Sequence, residues 1–111
     1  MEDLLQDAET RIQHGDFEGA IWLLQEHLTE EPDDPRALAD IGVAFTEYGE
    51  NRKAIKALDF CLKLQPENVE ALEAMGCSYL RQHEYSSAQY YLEQARDRDP
   101  ENASVLRNLS V

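Results

Sequence analysis

At 111 residues, with 42% hydrophobic and 30% charged side chains, the chain has the composition of one ordinary globular domain rather than of a disordered segment. Ten Lys and Arg stand against 23 Asp and Glu, a formal net charge of -13, which repels phosphate backbones and anionic lipid. Nucleic acid and membrane are therefore not expected as partners, and a basic or apolar protein or peptide is.

A period of 34 residues runs through the chain: Pro32, Pro66 and Pro100 keep that step, as do Ala20, Ala54 and Ala88, and Leu24, Leu58 and Leu92. It divides the sequence into 1–34, 35–68, 69–102 and the start of a fourth copy over 103–111. In the first copy, Leu4 and Ala8 belong to a helix that Gly15 ends through a left-handed cap, and a second helix with Ala20 and Leu24 runs on towards Pro32. Asp7 and Arg11 occupy columns that are apolar elsewhere, which suits a terminal copy with no neighbour before it.

In the second copy Asp34 is placed to cap a helix and Pro35 to fill its first position. Leu38, Ile41, Gly42 and Phe45 then recur at helical spacing up to Gly49, and Ala54, Ile55, Leu58, Cys61 and Leu62 do so before Pro66. The third copy repeats this order with Asn68 as cap, Leu72, Gly76 and Tyr79, His83 in the glycine column, then Ala88 and Leu92. Asn102 introduces a seventh helix from near Ala103, whose Val105, Leu106 and Leu109 are expected to pack on the third hairpin. Gly42 is expected to face Ala54, and Gly76 to face Ala88, so that paired helices approach closely. Cys61 and Cys77 form no CxxC pair and have no His at zinc-ligand spacing, so both read as free thiols, Cys61 as a small buried hydrophobe.

The order Leu38, Ile41, Gly42, Phe45, Ala54, Leu58, Pro66, repeated as Leu72, Met75, Gly76, Tyr79, Ala88, Leu92, Pro100, resembles the tetratricopeptide repeat, with leucine in place of the family's frequent tryptophan. The resemblance spans 1–102 and implies an all-α, right-handed superhelical stack of three hairpins plus a partial seventh helix. It also implies a protein-interaction module, with the first helices of successive hairpins lining a concave groove. The family's groove positions fall here on Glu2, Leu5, Glu9 and Ile12; on Arg36, Ala39, Asp40, Val43 and Glu47; and on Glu70, Glu73, Cys77, Leu80 and Arg81. Gln6, Gln13, Thr46 and Ala74 share those columns. Family members that grip acidic chaperone tails do so with basic and amide side chains. The corresponding residues here, Leu5, Glu9, Asp40, Glu70 and Ala74, carry the opposite charge or none, which does not support such a clamp.

Trp22, Phe60, Tyr90 and Tyr91 stand outside the repeat columns on the second helices and form an alternative, convex patch. The chain has no recognisable nucleophile–base pair, phosphate loop or metal-ligand spacing, so no catalysis, cofactor or metal is expected. The acidic start Met1-Glu2-Asp3 and the lack of any apolar run near the roughly 20 residues of a membrane span lead to a cytoplasmic expectation. Two other readings stay open: a scaffold that assembles with copies of itself through its C-terminal edge, and a regulatory segment of a larger enzyme.

Overall fold

The computed structural model describes residues 3–109, which form α1 (Leu4–Gln13), α2 (Phe17–Glu30), α3 (Pro35–Tyr48), α4 (Asn51–Leu64), α5 (Val69–Arg81), α6 (Tyr85–Arg98) and α7 (Ala103–Leu109). No strand occurs among the described residues. The helix starts follow from short polar side chains that accept orphan amides of the opening turn: Asp3 takes Gln6 N–H, Asp16 takes Gly19 N–H, Asp34 takes Arg36 N–H, Asn68 takes Ala71 N–H and Asn102 takes Val105 N–H. Left-handed residues close the first helix of each hairpin, Gly15 at φ 80°, Gly49 at φ 97° and His83 at φ 62°, so His83 adopts the conformation of the glycine column it occupies. Each second helix ends two residues before its proline, at Glu30, Leu64 and Arg98.

α1 pairs with α2, α3 with α4 and α5 with α6, each hairpin stacks on the next, and α7 lies on α6. Helices α1, α3 and α5 also touch directly, which places the first helices side by side along a body 42 Å long and 24 Å across. The buried columns are those of the repeat: Ala20, Ala54 and Ala88, then Leu24, Leu58 and Leu92, all with at most 1% of their surface exposed. Cys61 is fully buried, as its surroundings in sequence suggest, and its thiol donates to the Pro35 carbonyl at 3.3 Å.

Two expectations need correction. A Cβ added at Gly42 would run into the Leu58 side chain, and Ala54 is not among its nearest neighbours; at Gly76 it would meet Leu92, with the Ala88 carbonyl at 3.3 Å. The leucine, rather than the alanine four residues earlier, is therefore the main partner of the small-residue column. Helical side chains lean towards the N-terminus of their own helix, so Leu58 covers the surface beside the turn that Ala54 occupies. The second correction concerns α7, where Val105 is fully buried and Leu109 packs beside it but Leu106 is 43% exposed. Leu38 and Leu72 in the same column are buried, each in a helix followed by a hairpin partner, whereas no helix follows α7 among the described residues.

The close crossing predicts that Gly42→Ala lowers stability by about 1–3 kcal/mol through overpacking, more than the ~1 kcal/mol of helix propensity it gains. Urea unfolding checks this. A raised midpoint would mean that Leu58, which is fully buried, turns aside at little cost.

Candidate protein-binding groove

The side-by-side first helices carry their 34-residue columns into one continuous face. A groove of about 280 Å³ opens there, lined by Val43, Thr46 and Glu47 from α3, Glu70, Glu73, Ala74, Cys77 and Arg81 from α5, and Ser104 and Asn108 from α7. Val43, Glu47, Glu70, Glu73, Cys77 and Arg81 were expected to line it. Ser104 and Asn108 were not, yet they lie 34 residues beyond Glu70 and Ala74, so carrying the columns into the fourth copy finds them. Asn108 donates to Cys77 Sγ at 3.2 Å, tying α7 to the groove wall. Burial, with Glu73 and Glu47 adding to it, raises the Cys77 thiol above its ordinary value.

The other expected groove residues are placed differently. Leu5 and Ala39 join the hydrophobic core and offer nothing to a ligand, because α1, α3 and α5 pack directly on one another. Leu80 lines a separate cleft of about 120 Å³ with Tyr85, Gln89, Leu92, Asn108 and Leu109. Ile12 is half-buried against the core, and Glu9 and Arg36 line a polar hollow with Asp3, Gln6, Thr10 and Gln13. Glu2 lies outside the described residues.

Both basic residues expected in the groove are already engaged. Glu9 holds Arg36 through two hydrogen bonds, one from Nε at 2.8 Å and one from Nη2, and Glu47 accepts from Arg81 Nη2 at 3.1 Å. Asp40 lies next to Glu9 of α1 and Glu70 of α5, whose carboxyls both act on it, and only 6% of its surface is exposed. No donor from another residue reaches its buried Oδ2, and the same holds for the buried Oε2 of Glu73. Burial first, then Glu9 and Glu70, push the Asp40 carboxyl up to about 9, so it keeps its proton near neutrality. The Asp40 carboxyl first, and then the Arg36 guanidinium, hold Glu9 below the usual carboxylate range. The described residues contain no group of three His, Cys, Asp or Glu that could hold a metal ion.

On the convex side, Trp22 and Tyr90 are largely exposed and Phe60 less so, while Tyr91 is half-buried, stacked on Tyr79 with ring centroids 5.7 Å apart. Tyr90 and Tyr91 border a cleft of about 210 Å³ with Asp59, Leu62, Lys63, Pro66, Leu72 and Gln94. Neither Trp22 nor Phe60 lines it.

Asp40 sets a pH dependence whose sign is fixed. Between its ordinary value of 3.8 and about 9 the folded chain holds a proton that the unfolded chain has released, so this group's contribution to stability falls as pH rises through that window. Asp40→Asn should remove that slope and be more stable than the parent near pH 8 by at least ~1 kcal/mol. Thermal unfolding of both proteins across pH checks it, and a variant less stable at every pH would contradict the assignment.

Comparison with known structures agrees with this fold. The first TPR domain of the human RPAP3 protein superposes with a TM-score of 0.89 at 15% identity, over 96% of this chain and 84% of that one. The Arabidopsis OM64 TPR domain does so at 0.91 and 14%, over 96% and 88%. The second TPR domain of human RPAP3, in complex with the HSP70 peptide SGPTIEEVD, gives 0.86 and 16%, over 96% and 89%. At these identities the likeness is one of fold. No curated protein matches the sequence. Family models described as tetratricopeptide repeat match residues 11–76 and 73–111, and the chain belongs to the tetratricopeptide repeat family.

Proposed function

We propose that the chain is a protein-interaction module whose concave groove takes a segment with apolar anchors flanked by Lys or Arg. The observation that carries this reading is the groove wall itself, where Val43, Ala74 and Cys77 lie among Glu70 and Glu73, neither of which has an ion-pair partner among the described residues. Apolar contacts supply most of the affinity in such an interface, and the carboxylates speed encounter and reject acidic competitors. A preformed groove of packed helices also loses little conformational freedom when it binds.

The same charges bear on chaperone tails. A peptide ending in EEVD, such as the one held by the second RPAP3 domain, would set its carboxylates against Glu70 and Glu73 on the groove wall. The peptide SGPTIEEVD is therefore expected not to bind this chain.

A second reading has one observation in its favour. The exposed Leu106 on α7 offers an apolar edge to another copy. Sedimentation across concentrations tests it, and a monomer throughout ends it.

Selection from a displayed random peptide library, followed by titration of the enriched peptide, tests the groove. Enriched sequences should combine apolar residues with Arg or Lys. Val43→Glu should cost at least about tenfold in affinity by burying an unpaired charge, Glu73→Gln less, and Trp22→Ala nothing measurable. Loss of binding in Trp22→Ala alone would move the site to the convex face.

A further inference from the structure

We infer that Asp40, with Glu70 beside it, forms a subsite for one cationic side chain of the partner, best filled by a guanidinium group, and that filling it releases the proton of the Asp40 carboxyl. The inference rests on the groove reading above and sharpens it to a single position.

Three first helices each bring one carboxyl to this point, Glu9 from α1, Asp40 from α3 and Glu70 from α5, and one guanidinium, Arg36, answers them. Arg36 is bound by both Glu9 oxygens, so Glu9 already has its counterion. The Cys61 thiol of α4 donates a hydrogen bond to the Pro35 carbonyl and is pushed up to about 11 by burial first and then by Glu70 and Asp40, so it stays neutral. What remains is a buried Asp40 Oδ2 with no donor and a Glu70 carboxyl that also lines the groove.

A buried acceptor without a donor is costly, and a buried carboxylate without a counterion more so. In the empty protein the proton on Asp40 answers both costs. An incoming guanidinium answers them better, since its fixed fork of N–H groups can serve Asp40 and Glu70 together and stays charged at any working pH. Glu73 Oε2, the other buried acceptor without a donor, continues the same row along α5. The exchange balances: a neutral Asp40 acid and a cation become a carboxylate–guanidinium pair, and one proton leaves for solvent.

The test uses a blocked peptide with one central arginine between leucines and a twin with uncharged citrulline in its place, titrated calorimetrically against the whole chain. Between about pH 6 and pH 8 the arginine peptide should gain about tenfold in affinity per pH unit, the slope for one released proton, while the twin stays flat. Asp40→Asn, whose amide can donate to Glu9 as the acid does, should keep binding the twin but lose both the pH slope and most of the arginine preference. In the parent near pH 7, the carbon resonance of the Asp40 carboxyl should move from its neutral to its ionised position when the arginine peptide is added. Equal binding of the two peptides would overturn the subsite and leave the groove standing, and binding of neither would overturn both. An arginine preference without pH slope, or an Asp40 resonance that does not move, would overturn the proton release.

Discussion

The contact of Gly42 with Leu58, and of Gly76 with Leu92, is the constraint on which the rest of the molecule depends. Without a side chain at the small-residue column, the first helix of a hairpin settles directly onto the leucine of the second, and that leucine is sealed from water. Repeating the crossing every 34 residues forces α1, α3 and α5 to lie side by side with their columns in step. The groove is a product of that step. Glu47 meets Arg81 34 residues away, one column contacting itself in the next copy, and Glu9 meets Arg36 27 residues away, one column contacting another.

Register also creates the electrostatic problem at the centre of the face. Carboxyls in neighbouring columns are drawn together by packing, whatever their mutual repulsion, and Asp40 is where they converge. Such a group lowers stability as pH rises, so the stack tolerates a cost that a neutral residue at 40 would avoid. Local rules broken at one point of an otherwise consistent fold are what a binding site produces.

Most of the fold is legible in the sequence because its determinants are local. Asp34, Asn68 and Asn102 announce helix starts by their own chemistry, and His83 declares its left-handed conformation by standing in a glycine column. What was missed depends on how helices meet. The lean of Leu58 over the turn of Ala54 is a tertiary fact, and so is the burial of Leu5 and Ala39 between first helices that a column count places on the open face. Leu106 has the repeat's pattern without the neighbour that buries its equivalents. The pairing of Arg36 with Glu9 and of Arg81 with Glu47, which leaves Glu70 and Glu73 without an ion-pair partner among the described residues, needed coordinates.

We propose recognition on the concave face, although the convex face has more exposed aromatic surface, because among the described residues the concave face combines an apolar wall with a buried carboxyl oxygen that lacks a donor. Isotope-filtered NOE spectroscopy on a complex with a library-selected basic peptide tests this most directly. The account predicts contacts from the peptide to the Val43 and Ala74 methyl groups, with its arginine protons next to the Asp40 methylene. Contacts to the rings of Tyr90 and Tyr91 instead, around the cleft bordered by Lys63 and Pro66, would contradict it.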